Sequence, residues 1–154
     1  MKTSGAGIVP TSWKIPGAGS RLYVDDEEIQ REVLRQILER DNHTVEVADG
    51  GQAGLEAFHA ANLRGEPFDV VISDLGMPYV DGREVARLVK RESPATPVIL
   101  LTGWGERMRA EGKLPSGVDF VVSKPTSVNQ IREALRESKH CCKMAWSVLG
   151  SSMM

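Results

Sequence analysis

The sequence predicts an α/β protein built on a doubly wound, five-stranded parallel sheet. Short apolar runs typical of strands alternate along the chain with amphipathic helical patterns, which is the order of a parallel sheet joined by helical crossovers. Several of these runs are apolar throughout, as strands covered on both faces are. Polar residues follow directly after four of the runs, at the strand ends where open α/β sheets place their ligands.

The first half of the chain contains two predicted strands and two predicted helices. Leu22–Val24 is a short apolar strand that ends at Asp25 and Asp26. A helical pattern follows, with apolar positions at Ile29, Val33, Leu34, Ile37 and Leu38. Thr44–Ala48 alternates apolar and polar residues, which is typical of a half-exposed edge strand. A weaker helical pattern covers Gln52–Leu63.

The middle of the chain repeats the strand and helix order. Phe68–Ser73 is an unbroken strand that leads into Asp74, and a loop follows from Gly76 to Gly82. The next helix stops before Ser93-Pro94, because the residue before a proline disfavours helical backbone. Val98–Leu101 is a further buried strand.

The last third completes the alternation. Gly105–Leu114 is the weakest helix, since it has few apolar residues. Val118–Val122 is the fifth strand, and Val128, Ile131 and Leu135 indicate a final amphipathic helix. Residues 1–20 are rich in glycine and proline without periodicity and are expected to be a flexible leader. The domain is expected to span 21–138, and 139–154 to be a tail or a helix extension.

Composition narrows the class of protein. The 154 residues are 41% hydrophobic and 26% charged, which is typical of one globular domain, and the net charge of −2 argues against direct nucleic-acid binding. No apolar run approaches the roughly 18 residues of a membrane-spanning helix. The adjacent Cys141 and Cys142 are expected to be reduced, and a cytoplasmic location is the default. The residues after Ser138 are expected to be too few to form an effector domain, so output is expected through a partner protein, with a phosphate shuttle or sink as the alternative.

Three carboxylates, one hydroxyl and one ammonium follow the predicted strands. Asp25, Asp26 and Asp74 would repel one another at one sheet edge unless a cation joined them, and Mg²⁺ suits oxygen ligands that leave room for a phosphoryl group. Lys124 and Thr102 can then bind phosphoryl oxygens. Asp74 is the best candidate nucleophile because it ends the central strand, and aspartyl phosphates are established intermediates of carboxylate chemistry.

Four short strings around these residues resemble one known family. VDDEE, DLGMP followed by Asp81-Gly82, LLTGWG and SKP occur in the order and with spacings similar to those of the receiver domain of two-component response regulators. The resemblance covers about 21–138, and LLTGWG is especially similar to receivers of hybrid histidine kinases. It implies a flavodoxin-like sheet with strand order 2-1-3-4-5. It also implies a protein that catalyses only its own phosphorylation and dephosphorylation.

The resemblance also implies residue roles. Asp74 matches the phosphoacceptor, Asp25 and Asp26 the acidic pair that binds Mg²⁺, and Asp26 is the more direct ligand. The backbone carbonyl of Gly76 completes the metal site, and Thr102 is the switch hydroxyl. Lys124 contacts the phosphate, and a cis peptide bond precedes Pro125. The implied phosphoryl donor is a histidine on a sensor histidine kinase or a histidine phosphotransfer protein, and the downstream effector protein stays unidentified.

Two positions depart from the family pattern. Many receivers have an aromatic residue three positions before the lysine, where this chain has Val121; Phe120 is one position away and should face the other side of its strand. Tyr23 stands where a small aliphatic residue is common. Trp104 is expected to be a partly buried packing residue, with a place over the phosphate pocket as the alternative.

Other functions remain open on the sequence alone. Each key residue has an ordinary structural role as an alternative, such as a helix cap for Asp25 and Asp26 or a strand end for Thr102. An aspartate-nucleophile phosphatase of the haloacid dehalogenase type would need a second aspartate at the position of Gly76. A receiver-like interaction module that is not phosphorylated is the remaining alternative.

Overall fold

A computed structural model describes residues 19–112 and 114–138 of the chain. The strands are β1 (Ser20–Val24), β2 (Thr44–Ala48), β3 (Val70–Asp74), β4 (Val98–Thr102) and β5 (Phe120–Ser123). The helices are α1 (Glu28–Arg40), α2 (Gly51–Leu63), α3 (Gly82–Glu92), α4 (Gly105–Glu111) and α5 (128–138). The alternation predicted from the sequence is confirmed, with bounds that differ by a few residues. The predicted tail, with Cys141 and Cys142, lies outside the described residues, as does all of the predicted leader up to residue 18.

Within the described residues the strands form one parallel sheet in the order β2-β1-β3-β4-β5. The class and the strand order are therefore those that the sequence and the resemblance predicted. β1 already begins at Ser20, inside the range expected to be leader, and Ser20 pairs with Thr44 of β2. From β1 the chain runs to β2 on one side and then crosses to β3 on the other side, so the winding direction reverses between β1 and β3. The carboxyl ends of β1 and β3 therefore flank the crevice where such sheets bind ligands.

Alternating side chains divide the core into two layers, one on each face of the sheet. One layer joins the strands to α2 and α3 and contains Leu22, Val71, Phe58, Val85 and Leu100. The other joins them to α1 and α5 and contains Tyr23, Ile72, Leu38, Ile99 and Ile131. Both faces of the sheet are therefore covered, which explains why the central strands are apolar throughout.

β5 confirms the predicted difference between Phe120 and Val121. Val121 packs in the layer of α2 and α3, whereas Phe120 packs with Val122 in the layer of α1 and α5. An aromatic side chain is thus absent from the strand position where many receivers have one. Any switch in this domain has to work without the aromatic rotamer change.

Two apolar residues of α1 are exposed rather than buried. The side chain of Leu34 is buried, but Ile29 is 77% exposed and Val33 50% exposed. Helical spacing predicted both as core positions, because periodicity alone does not show how wide the covered stripe of a helix is. None of the helices in 19–112 and 114–138 is long and apolar enough to cross a membrane.

Candidate metal and phosphate site

The carboxyl ends of four strands bring the predicted site residues to one edge of the sheet. Asp25 and Asp26 follow β1, Asp74 ends β3, Thr102 ends β4 and Lys124 follows β5. These four strands are consecutive neighbours in the sheet. The backbone N–H of Lys124 donates to the carbonyl of Thr102 at 3.0 Å, which extends the pairing of β4 and β5 to the site. Parallel topology therefore assembles side chains that are far apart in sequence.

Three carboxylates converge at this edge. Asp25, Asp26 and Asp74 each offer an oxygen within 4.8 Å of the others. Asp25 is fully buried and Asp74 nearly so, while Asp26 is exposed. Burial raises the pKa of Asp74 above its ordinary value, and the charges of Asp25 and Asp26 act in the same direction, against the effect of Lys124. The cluster therefore carries unfavourable repulsion that a cation would relieve.

The ammonium of Lys124 pairs directly with Asp74. Its Nζ lies 2.5 Å from Oδ1 of Asp74, and the lysine side chain is 26% exposed. Burial works against the ammonium, but the hydrogen bond to Asp74 and the nearby negative charges outweigh it, so the pKa of Lys124 is raised. Lys124 therefore stays charged at neutral pH. The cis peptide bond that the resemblance implied joins Lys124 to Pro125.

Every polar atom of Asp25 has a hydrogen-bond partner. Its backbone N–H donates to the carbonyl of Ala48 at 3.1 Å, and its carbonyl accepts from Nη1 of Arg31 at 2.8 Å. Oδ1 accepts from the backbone N–H of Glu27 at 2.9 Å, and Oδ2 accepts from the hydroxyl of Tyr23 at 2.6 Å. Asp25 is thus a fixed part of the framework.

Tyr23 and Asp26 differ from Asp25 in how they are held. The ring of Tyr23 is buried in the layer of α1 and α5. Burial and the hydrogen bond to Asp25 raise the pKa of the Tyr23 hydroxyl far above its ordinary value, so it remains a donor at neutral pH. The carboxylate of Asp26 has no hydrogen bond or ion pair with any residue that the structure describes. Asp26 is therefore the freest of the three carboxylates to take up a ligand.

Thr102 is tied to the loop that follows it. The residue is buried, and its hydroxyl accepts a hydrogen bond from the backbone N–H of Trp104 at 3.1 Å. Trp104 itself is 60% exposed, and the guanidinium of Arg107 lies 6.0 Å from its ring centroid. The expectation that Trp104 is a partly buried packing residue is wrong, because most of its side chain is exposed and the Arg107 guanidinium lies over its ring.

The loop between β3 and α3 contains two glycines with different surroundings. Gly76 is exposed, and the space where a Cβ would lie is open. A Cβ on Gly82 would collide with the carbonyl oxygen of Asp74. Asp81 caps α3, since its Oδ1 accepts from the backbone N–H of Glu84 at 3.0 Å. Gly82 thus lets α3 begin directly against Asp74. The sequence predicted no such role for Gly82.

The donor set fits a hard divalent cation. All three converging groups are carboxylates, which is the ligand type that Mg²⁺ prefers, and two of them are held by the fold before any ion binds. Asp25, Asp26 and Asp74 each have an oxygen placed where it could bind one cation. The part assigned to the Gly76 carbonyl stays a prediction.

Comparison with known proteins connects this geometry to a family. Residues 22–136, about three quarters of the chain, match the family model described as the response regulator receiver domain. The chain belongs to this family. Receiver domains are parts of the response regulators of two-component systems, so the resemblance seen in the four motifs is confirmed.

Curated relatives of this receiver domain are named as regulators. The transcriptional regulatory protein ResD of Bacillus subtilis is 37% identical over 110 residues, covering 71% of this chain and 43% of its own. The transcriptional regulatory protein CseB of Streptomyces avermitilis is 34% identical over 123 residues, covering 77% of this chain and 50% of its own. The receiver domain thus spans about half the length of the curated relatives it matches.

Solved structures have the same fold. A response regulator receiver domain protein of Clostridium thermocellum superimposes with a TM-score of 0.71 at 28% identity, covering 82% of this chain and 98% of that one. The response regulator TrrA of Thermotoga maritima, solved in complex with Mg²⁺-BeF, gives a TM-score of 0.66 at 29% identity, covering 77% and 97%.

The structure brings four of the groups predicted for the site into contact range, and it places Thr102 and Gly76 at the same edge of the sheet. The three carboxylates and Lys124 are in mutual reach, and Thr102 ends the strand between β3 and β5. Gly76 lies in the adjoining loop. The sequence missed the contributions of Tyr23 and Arg31, which hold Asp25. Tyr23 was visible only as an unusual residue of the first strand.

Proposed function

We propose that this receiver domain accepts a phosphoryl group on Asp74 from a phosphohistidine, in a reaction that requires Mg²⁺. The donor is a sensor histidine kinase or a histidine phosphotransfer protein. Family membership supports the proposal. The single observation that carries it is the position of Asp74, which ends the central β3 strand close to two other carboxylates and 2.5 Å from the ammonium of Lys124.

Asp74 and Lys124 have different roles in the proposed phosphoryl transfer. An oxygen of ionised Asp74 attacks phosphorus, the new O–P bond forms as the N–P bond of the donor breaks, and the imidazole leaves with the electron pair. Lys124 already neutralises Asp74 and can pass its hydrogen bonds to a phosphoryl oxygen as charge moves there. Most of the acceleration is positional and electrostatic, as expected for phosphoryl transfer.

Asp25, Asp26 and Asp74 are the proposed carboxylate ligands of the cation, and Asp26 is the more direct ligand of the acidic pair. When bound, Mg²⁺ supplies positive charge that offsets carboxylate repulsion and binds a phosphoryl oxygen. The convergence of the three carboxylates supports this assignment. The exposure of Asp26 leaves the cation an open route into the cluster from solvent.

Thr102 is the proposed switch. Its hydroxyl can donate to a phosphoryl oxygen on Asp74, but it now accepts from the N–H of Trp104. Movement of Thr102 would therefore release the start of the loop that leads into α4. A new charge that captures a hydroxyl and repositions a loop is an established form of two-state switching. The surface of α4 and β5 would carry the signal to the effector.

The output is proposed to pass through another protein or domain. The curated relatives are named as transcriptional regulators and are about twice as long as the region they share with this chain. The net charge of −2 favours an indirect route to nucleic acid over contact by this domain itself. The domain is not proposed to act on external substrates, since the chemistry is directed at its own aspartate.

Intact mass spectrometry after incubation with acetyl phosphate and Mg²⁺ tests the proposal. We expect the protein to gain one phosphoryl group, dependent on Mg²⁺, and the Asp74→Asn variant to gain none. Asp81→Asn is the matched control, because it makes the same change in the following loop and keeps a side chain that can cap α3. It should be phosphorylated like the unmodified protein.

Two results would overturn the proposal. Phosphorylation of Asp74→Asn would place the phosphoacceptor elsewhere. Absence of any mass gain in the folded protein, with a histidine phosphodonor as well as with acetyl phosphate, would favour an interaction module that is not phosphorylated. The phosphatase alternative has no support at its critical position, since Gly76 carries no acid or base.

A further inference from the structure

We propose that Tyr23 is a positioning residue of the metal site: its hydroxyl fixes the carboxylate of Asp25 and thereby sets the affinity for Mg²⁺. This inference rests on the proposed function, since it assumes that the acidic cluster binds the cation. It adds a residue that lies in the core and outside the five polar groups of the site. The contact that carries it is the 2.6 Å hydrogen bond from the Tyr23 hydroxyl to Oδ2 of Asp25.

Strand geometry explains how a core residue reaches the site. Side chains two residues apart on a strand lie on the same face. The N–H of Asp25 donates to the carbonyl of Ala48, so the pairing of β1 with β2 continues to Asp25, and its side chain lies on the same face as Tyr23. The Tyr23 ring packs in the layer of α1 and α5 at 1% exposure, and its hydroxyl extends to Asp25, which is 0% exposed. The hydrogen bond is therefore shielded from water, which would otherwise compete for both groups.

Two donors on two oxygens fix the plane of the Asp25 carboxylate. Oδ1 accepts from the N–H of Glu27 and Oδ2 from Tyr23. The Glu27 bond alone would leave the group free to turn about it, and would leave Oδ2 buried without a donor. Buried carboxylate oxygens need such partners, because they have lost their water. Tyr23 therefore determines which lone pairs of Asp25 face the cation.

Such a residue acts on metal affinity through a ligand and does not touch the metal. Hydrogen-bond partners that orient ligands typically contribute about 10- to 100-fold to metal affinity. The small aliphatic residue that is common at this strand position in receivers has no hydrogen-bond donor in its side chain. This chain thus has an orienting contact that the family pattern does not supply.

The test compares Mg²⁺ affinity in Tyr23→Phe and in a matched core variant. Tyr23→Phe keeps the ring and removes only the donor. Ile72→Val trims the residue paired with Tyr23 in the neighbouring strand, in the same core layer, and leaves the hydrogen bonds of Asp25 intact. Mg²⁺ is titrated into ¹⁵N-labelled protein well below the melting temperature, and Kd is read from the amide shifts at the site.

We expect Tyr23→Phe to raise the Kd for Mg²⁺ by about tenfold or more and Ile72→Val to change it less than twofold. Equal affinities in Tyr23→Phe and the unmodified protein would overturn the role of Tyr23 alone. Equal weakening by both variants would also overturn it, since general loosening of the core would then be the cause. No saturable shift in the unmodified protein would instead overturn the proposed metal site.

A second measurement needs no substitution at Tyr23. The chain has two tyrosines, so protein labelled with ¹³C at the tyrosine Cζ gives two signals, which a Tyr79→Phe variant assigns. If Tyr23 holds a metal-site carboxylate, its Cζ signal should move with Mg²⁺ at the same midpoint as the site amides. A Tyr23 signal that stays still while those amides saturate would refute the proposal, even if Tyr23→Phe failed to fold.

Discussion

The ammonium nitrogen of Lys124 lies 2.5 Å from Oδ1 of Asp74, although β4 separates the strands from which the two residues come. The lysine therefore spans one strand to reach the carboxylate. This contact places a cation beside the proposed nucleophile before any phosphoryl donor arrives. Burial and the two neighbouring carboxylates raise the pKa of Asp74, and Lys124 opposes that shift.

Lys124→Ala should slow phosphorylation of Asp74 by about 100-fold or more, since it removes the charge that stabilises the transferring group. The rate is measured by intact mass with acetyl phosphate and saturating Mg²⁺. Lys90→Ala is the matched control, because it breaks another lysine–aspartate pair, the 2.7 Å contact of Lys90 with Asp119. A similar loss in both variants would contradict a specific role for Lys124.

Asp26→Asn should remove the stabilisation of the fold by Mg²⁺. A ligand at ten times its Kd raises the free energy of unfolding by about 1.4 kcal/mol, so the melting temperature of the unmodified protein should rise with Mg²⁺. Without Mg²⁺ the variant should be at least as stable as the unmodified protein, because it has one charge fewer in the cluster. Thermal melts with and without Mg²⁺ check both points; an undiminished response to Mg²⁺ would exclude Asp26 as a ligand.

Thr102→Val should uncouple the loop from phosphorylation. Valine keeps the branched shape but loses the hydroxyl that holds the N–H of Trp104, a bond of about 1 kcal/mol. In a Trp13→Phe, Trp146→Phe background, Trp104 is the remaining tryptophan and reports on the loop by fluorescence. We expect phosphorylation to change its emission in that background, and much less in Thr102→Val.

Thr102→Ser serves as the control for this prediction, because it keeps a hydroxyl at the same position. It should retain the emission change. An undiminished change in Thr102→Val, with the same degree of phosphorylation, would show that Thr102 is not the switch.

Gly82→Ala should destabilise the fold by about 1–3 kcal/mol, since its Cβ would overlap the carbonyl oxygen of Asp74. The displaced Asp74 should also be phosphorylated more slowly. Gly50→Ala is the control, because a Cβ there meets nothing within 4 Å and the backbone is extended. Urea unfolding measures both variants, and equal stabilities would contradict the close approach of α3 to Asp74.

Asp41→Asn should make the fold less stable at neutral pH. Both oxygens of Asp41 accept from Arg132 of α5, at 2.7 and 2.8 Å, and this lowers the pKa of Asp41 below its ordinary value. The folded state therefore favours the ionised carboxylate. Its contribution to stability is present above the ordinary pKa and is lost as the pH falls through the lowered one.

Melting temperatures measured between neutral pH and about pH 3 test whether the stabilisation by Asp41 is lost in acid. The difference between the unmodified protein and Asp41→Asn should shrink as the pH falls. Glu66→Gln removes the exposed Arg64–Glu66 pair and should have little effect at any pH. A difference that grows in acid would contradict the assignment.

The sequence predicted the sheet and the polar groups at its edge, because strand periodicity and short motifs record which residues lie at strand ends. The strand order was implied by the family resemblance. The sequence could not predict which apolar side chains are buried where tertiary packing alone determines their exposure. Ile29 and Val33 fit the apolar stripe of α1 but lie beyond the surface that the sheet covers. Trp104 has the size of a core residue but lies in the turn after β4 and is 60% exposed. The Tyr23–Asp25 contact depends on side-chain reach, which no pattern of residue types specifies.

The order β1-β3-β4-β5 gives the site a property that concerns synthesis. Asp74 and its acidic neighbours leave the ribosome before Lys124 does, and β5 must dock on β4 before the ammonium can reach the carboxylate. A nascent chain without β5 has the aspartate but lacks its cation. Under the proposed function, the domain becomes able to accept a phosphoryl group only when the last strand has docked, so an unfinished chain offers a kinase no complete site.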